Sequence, residues 1–354
     1  MSKNSYHTIR DIAQIAGVTP GTISRALNNS PLVNKDTRER ILQIAEDLNY
    51  TPNLVARRLS IGKTFAIGVI VPFFTRPSVS ERLDGAVSVL SNSQYDLVIH
   101  NVETAEQREA GFRDVLRRER IDGALILSMP ILESDAKNLK RSDIPVVLVD
   151  TKHPDLPLFD HVTVDDVDGG YKATQYLLSL GHTKIGFISD ITEMLFSPQD
   201  GSEEESNPFR FTSSRDRFSG FKKAIEEAGL PLRPEYFAEE QHGFRQAREL
   251  ARRMLQLDDP PTAIFASNDT QAFGVIQAAR EVGRVIPEEL SVVGYDDIQA
   301  AEYMELTTVR QMLFESGQQG VEILMDKIDG NSPEVKHSII PTQMIVRKTT
   351  APPK

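Results

Sequence analysis

Thr8-Ile-Arg-Asp-Ile-Ala-Gln-Ile-Ala-Gly17-Val-Thr-Pro20-Gly-Thr-Ile-Ser-Arg25-Ala-Leu-Asn-Asn29 holds two short helical patterns separated by a tight turn. Ile9, Ile12, Ala13 and Ala16 recur at i, i+3, i+4 and i+7, one apolar face of a helix. Thr8, with Asp11 three residues on, is an acidic variant of the capping box. Gly17 stops the helix, because glycine takes a left-handed backbone at little cost. Thr19 and Pro20 start a second helix, a capping hydroxyl before a ring whose φ suits the first helical position. Ile23, Ala26 and Leu27 then face inward, while Thr22, Ser24, Arg25 and Asn28 face out. A helix-turn-helix has this layout and lays its second helix in the DNA major groove. An ordinary helical hairpin would give the same pattern.

The next thirty residues narrow the choice. A third helix is predicted over 34–49, capped by Asn34, with Ile41, Leu42, Ala45 and Leu48 on its buried face. Pro52 then breaks the chain, and Asn53 can cap a helix of about two turns, too short to be stable alone in water. The runs Gly17-Val-Thr-x-x-Thr-Ile-Ser-Arg25 and Asn49-Tyr-x-Pro-Asn-x-x-Ala-x-x-Leu59 together resemble the DNA-binding headpiece and hinge helix of the LacI/GalR family of bacterial transcription regulators. The resemblance implies that Thr8, Thr19, Pro20, Gly21, Thr22, Ser24, Arg25 and Asn28 face operator DNA. It also implies a hinge in which Asn53, Ala56 and Arg57 meet DNA and Leu59 wedges into the minor groove, kinking the duplex. Residues 1–50 are thus expected to form the headpiece, 51–64 the hinge, and 65–354 an effector-binding and dimerisation core.

Charge agrees with this division. The first 63 residues carry nine Lys and Arg against five Asp and Glu, a net of +4, and the remainder carries −15, which together give the net of −11. Phosphate attraction is therefore concentrated at one end. The chain contains no cysteine, which excludes disulfides and thiol chemistry. No apolar run of signal-peptide or membrane length opens the chain, so a cytoplasmic protein with no membrane partner is expected. No heptad pattern follows the last strand-like run, so a homodimer is expected.

From Phe65 onward, apolar runs alternate with helical stretches. Residues 65–71, 95–100, 124–128 and 146–149 read as buried strands, and 184–189, 262–266 and 290–293 as a second series. Such alternation predicts two lobes, each a doubly wound parallel sheet. With the family resemblance this implies an all-α headpiece followed by a two-lobe, periplasmic-binding-protein-like α/β core. Ligands in such sheets sit at the carboxyl ends of strands. Ser128, Asp150, Asn268 and Asp296 fall just there, and Arg217 opens a helix. Carboxylates and an arginine suit the paired hydrogen bonds of vicinal hydroxyls, although each taken singly also fits a helix cap or a loop. The family resemblance extends over Ala266-Ser-Asn-Asp269, Ser291-Val-Val-Gly-Tyr-Asp-Asp297 and Leu306-Thr-Thr-Val-Arg-Gln311. In sugar-responsive members, the residues matching Arg217, Asn268 and Asp296 hold ligand hydroxyls, and Asp150, Ser128 and Gln311 match further pocket positions. The resemblance therefore implies a sugar-like effector and a repressor.

The chain departs from the family at two places. Pro20 and Gly21 stand where base edges are usually read, and neither makes a bidentate base contact. Operator specificity would then rest on Arg25, the hinge and DNA deformability. Pro72-Phe-Phe-Thr-Arg-Pro77 replaces an Asp/Asn-rich first pocket loop. Phe73 or Phe74 could stack on a sugar face and Arg76 could meet an acidic or phosphorylated ligand, or the loop could serve packing alone. The acidic stretch 199–206 reads as a solvated loop or a lid.

Enzyme motifs are absent. Gly62-Lys-Thr64 mimics the end of a phosphate-binding loop, but Arg57 stands where the first glycine is required. The histidines lack metal spacing, so no metal and no cofactor are expected. A sugar-binding transport protein would share the core, but it would lack residues 1–63.

Overall fold

The computed structural model describes residues 7–354 except 28, 51–61, 152–155, 191–211 and 241, and except the side chains of 114 and 115. Asn28, Asn53, Ala56, Arg57, Leu59 and the acidic stretch 199–206 therefore lie outside the described residues. The chain divides into two units, Met1–Thr64 and Phe65–Lys354.

The first unit contains α1 (Ile9–Ala16), α2 (Pro20–Leu27) and α3 (Lys35–Asp47). The Asp11 carboxylate accepts the Thr8 N–H at 2.7 Å and the Thr8 hydroxyl at 2.9 Å, which ties down the start of α1. Gly17 ends α1 at φ 63°. The Thr19 hydroxyl accepts the Thr22 N–H at 3.2 Å, and Asn34 accepts that of Thr37 at 2.8 Å. Ile12, Ala13, Ala16, Ile23, Ala26, Ile41 and Ala45 form the buried core. Leu42 is a correction: it is 45% exposed, and the half-buried Ile44 packs against the core instead. The face that repeats at i, i+3, i+4 and i+7 is Ile41, Ile44, Ala45 and Leu48, which turns Leu42 about 100° away.

In the second unit the chain forms β1 (Ala66–Pro72), β2 (Asp96–Val102), β3 (Gly123–Leu127), β4 (Val146–Val149), β5 (Asp160–Val164) and β6 (Ile185–Asp190). There follow β7 (Phe237–Glu240), β8 (Ala263–Ala266), β9 (Ser291–Asp296), β10 (Thr307–Arg310), β11 (His337–Ile340) and β12 (Gln343–Ile345). Among them lie α4 (Pro77–Leu90), α5 (Ala105–Val115), α6 (Glu133–Lys140), α7 (Asp166–Ser179), α8 (Thr212–Glu227), α9 (Phe244–Leu255), α10 (Asp269–Glu281), α11 (Gln299–Tyr303) and α12 (Leu313–Ile328).

Two six-stranded sheets result, in the orders β11-β5-β4-β3-β1-β2 and β12-β10-β9-β8-β6-β7. Every pairing is parallel except β10–β12. Strand alternation sends Ile67, Val69 and Val71 to the face covered by α4 and α12, and Ala66 and Ile70 to the face covered by α5 and α6. Each such fully buried Ile or Val contributes roughly 1.5–3 kcal/mol. Among the described residues the chain passes between the lobes three times, at 165, 311–312 and 341–342. The central strands match the apolar runs in the sequence. β5, β7 and β10–β12 carry no continuous apolar run and are legible only once their neighbours are in place. In β11, for example, His337 and Ile339 stay exposed.

Candidate functional site

In the first unit, α2 presents Pro20, Gly21 and Arg25 as exposed, with Thr22 and Ser24 half-buried and Ile23 and Ala26 turned into the core. Thr19 is exposed as well, its hydroxyl 3.0 Å from that of Thr22. Thr8 is exposed at the start of α1. One helix face thus offers a guanidinium and small polar groups, with no bulky side chain at its first turn to keep a backbone away.

In the second unit, the strands end on a cleft of about 770 Å³, open solvent included, lined from both lobes. How the chain turns there is specific. Phe73 after β1, Ser128 after β3, Asp150 after β4 and Asp296 at the end of β9 all have positive φ, at 48°, 47°, 52° and 115°. A non-glycine residue held there costs roughly 1–3 kcal/mol, and such strain gathers at binding sites.

Arg217 is nearly fully buried on the first part of α8. Its Nε donates to Asp166 at 2.9 Å and its Nη1 to the Ser267 carbonyl at 2.6 Å, while Nη1 lies 3.6 Å from Asp296. The guanidinium also covers the Tyr295 ring, 3.8 Å from its centroid. Gly170 on α7 makes this placement possible, since a Cβ there would fall 2.1 Å from the Arg217 carbonyl oxygen. Burial opposes the charge, but Asp166 and Asp296 outweigh it and hold the guanidinium above its ordinary value. Asp296 is pushed up to about 6, chiefly by burial, with Arg217 and Arg82 pulling the other way.

Gln311, at the second crossing between lobes, joins the two walls. Its Nε2 donates to Asp296 and its Oε1 accepts from Arg82 Nη2 at 2.8 Å. Arg82 in turn lies 2.7 Å from Asp150, which also accepts the Ser128 hydroxyl at 3.0 Å. Asn268 caps α10, its Oδ1 accepting the Gln271 N–H at 2.9 Å, so cap and pocket roles coincide in one residue. Among the described residues none accepts from the Asn268 amide N–H groups.

The cleft therefore brings together Ser128, Asp150, Arg217, Asn268, Asp296, Gln311 and Arg76. Phe73 is not among its lining residues. The turn after β1 lays its ring beneath the Arg76 guanidinium, 4.2 Å from centroid to Cζ. Burial pulls the Arg76 guanidinium below its ordinary value, against the charge of Asp190. Asp297, next to Asp296, turns away from the cleft and pairs with Arg310 and Arg347 at 2.6 and 2.7 Å.

Four titratable lining residues were not visible as site residues in the sequence: Arg82, Asp166, Asp190 and His242. Asp190 accepts from His242 Nδ1 at 3.1 Å and from Gln271 Nε2 at 2.9 Å. Burial works to raise the Asp190 carboxyl, but His242 and Arg76 hold it below its ordinary value. Asp190 directly follows the predicted strand 184–189, a usable signal. Arg82 interrupts the apolar face of α4, which is a weaker one.

A helix-turn-helix unit followed by a two-lobe core with a polar cleft defines a ligand-responsive DNA-binding regulator. Comparison with known proteins identifies the family. Residues 8–53 match bacterial regulatory proteins of the lacI family, and residues 174–350 match the periplasmic binding protein-like domain. The HTH-type transcriptional repressor PurR of Photobacterium profundum is 32% identical over 346 residues, covering 97% of this chain and 98% of its own. The lac repressor dimer bound to operator and the anti-inducer ONPF superposes with a TM-score of 0.83 at 26% identity, covering 98% and 99% of the two chains. A LacI family transcriptional regulator from Enterococcus faecium with bound ribose gives a TM-score of 0.68 at 29% identity, over 82% of this chain and all of that one. The chain belongs to the lacI family: it is a DNA-binding transcription regulator with an effector-binding core, and not an enzyme.

Proposed function

We propose that this protein represses carbohydrate uptake or utilisation genes as a homodimer on a palindromic operator and that a sugar-like effector releases it. One observation supports the sugar: Asp150, Ser128, Arg217, Asn268, Asp296 and Gln311 converge on one cleft between the lobes. Such groups accept and donate paired hydrogen bonds, and a ligand lacking the matching hydroxyls would leave them buried and unpaired. The ribose-bound relative gives the same chemistry a precedent. Residues 1–50 serve as the DNA-reading unit, through Thr8, Thr19, Pro20, Gly21, Thr22, Ser24, Arg25 and Asn28. Residues 51–64 are the hinge, where Asn53, Ala56, Arg57 and Leu59 meet the operator.

The switch is thermodynamic. The effector shifts the lobes toward the arrangement it binds more tightly, and the DNA-competent population falls in proportion to that preference. Homodimerisation has support from the lac repressor dimer and from Val87, Val98 and Ile99, which are 45%, 39% and 43% exposed on the first lobe. Among the described residues no helix is long and apolar enough to cross a membrane, consistent with work in the cytoplasm. PurR shares more sequence with this chain than the ribose-bound regulator does, which makes an effector other than a sugar the second reading.

The test is to mix the purified protein with sheared DNA from its own genome, then recover and sequence the bound fragments with and without candidate sugars. Enrichment of a palindrome upstream of transport or glycosidase genes, lost on adding one sugar, is the expected result. Enrichment beside genes of another pathway would retain the regulator and reject the sugar.

A further inference from the structure

Arg82 is 1% exposed and among the largest fully buried side chains. Its Nε donates to Ser316 at 3.2 Å, and its Nη2 reaches Gln311 at 2.8 Å and Asp150 at 2.7 Å. No described residue accepts from its Nη1, although Arg82 is part of the cleft wall. A buried guanidinium with one amino group left over, beside a carboxylate, presents donors and an acceptor side by side. That is the complement of two neighbouring hydroxyls, one accepting and one donating. The Gln311 carboxamide bridges this pair to the matching one on the other lobe, Arg217 with Asp296.

Charge in the cleft is largely paired. Three arginines, His242 and four aspartates line it. Arg82 faces Asp150, Arg217 lies between Asp166 and Asp296, and His242 bonds to Asp190. A ligand bringing a net charge would add an uncompensated charge to a buried, paired set, which is costly. A neutral ligand exchanges hydrogen bonds and leaves the balance intact.

We propose that the Arg82–Asp150 pair is a second hydroxyl-reading pair, facing Arg217–Asp296 from the opposite lobe, and that it selects a neutral polyhydroxylated effector over acidic or phosphorylated counterparts. This rests on the sugar reading above. It assigns Arg82 a direct contact with the effector, and it sets aside an anionic ligand for Arg76.

The full chain is screened by thermal shift and calorimetry against ribose, glucose and cellobiose, and against glucuronate, gluconate and glucose 6-phosphate. A neutral sugar is expected to raise the melting temperature, with its charged counterpart at least tenfold weaker. Arg82→Lys keeps the positive charge beside Asp150 but loses the forked donors. It should weaken the neutral sugar at least tenfold while the unliganded protein still melts cooperatively. Should that variant not fold, deoxy analogues of the bound sugar on the wild type replace it: one deoxy position beyond those read by the second lobe should cost about tenfold. A charged sugar binding as well as the neutral one would overturn the charge selection and leave the sugar reading standing. Unchanged affinity in Arg82→Lys, or indifference to every such deoxy position, would overturn the role of Arg82. No response to any of the six compounds would remove the sugar reading, and this inference with it.

Discussion

Asp296 combines burial, a positive φ of 115° and a carboxyl pushed up to about 6, and its chemistry sets a pH dependence. In the unfolded chain this carboxyl ionises near 3.9. A folded value above the unfolded one stabilises the fold when the group is protonated. That contribution is complete below about pH 4 and is lost as pH rises through about 6, with a full amplitude of about 3 kcal/mol. Asp190 is held low and acts in the opposite sense, but only below the ordinary carboxylate range. Urea unfolding of the unliganded protein and of Asp296→Asn at pH 7, 6 and 5 isolates the effect. The wild type should gain on the variant as pH falls, and a constant difference would contradict the buried-carboxyl account. Effector affinity should run the other way, weakening below about pH 6 because a protonated carboxyl accepts a ligand hydroxyl less well.

At the scale of the element, helix contacts decide where the polar groups end up. α7 and α8 touch at Gly170, where a Cβ would meet the Arg217 carbonyl oxygen at 2.1 Å. Gly170→Ala must push the helices apart, at roughly 1–3 kcal/mol, and carry Arg217 away from Asp166. It should therefore abolish effector binding, whereas Val275→Ala, in the same lobe's core but remote from α8, should lower the melting temperature and keep binding. Equal loss of binding in both would mean that general destabilisation, and not this contact, governs the cleft. In the headpiece, Gly17 sits at φ 63° after α1, and an alanine there costs about 1 kcal/mol or more. Gly17→Ala should weaken operator binding in a gel-shift titration and leave calorimetric effector binding unchanged.

At the scale of the whole molecule, the net of +4 in the first 63 residues against −15 in the rest directs DNA to one end of the chain. Operator affinity should fall steeply with salt, while effector binding should barely change, because counterions leave phosphates and not a neutral ligand. Light scattering should give twice the 39.5 kDa chain mass. Val87→Glu with Ile99→Glu should halve that mass without loss of effector binding; a dimer surviving both changes would place the interface elsewhere. Leu59→Ala should weaken operator affinity and spare the effector.

The sequence alone determined what is local. The three headpiece helices, their caps and the Gly17 stop follow from short-range periodicity and single-residue φ preferences, as do the central strands from their apolar runs. Asp150, Ser128, Asn268 and Asp296 were legible because strand ends are where such sheets bind. Tertiary structure decided the rest. Phe73 left the cleft because a positive-φ turn gave its ring to Arg76, and Leu42 left the headpiece core because helix phase favoured Ile44. Arg82, Asp166 and His242 entered the site through contacts between segments far apart in the chain: Arg82 meets Gln311 across 229 positions and Asp150 across the lobe. Periodicity reports which face of an element is buried; which charges share that burial depends on packing between elements, and no local pattern carries that information.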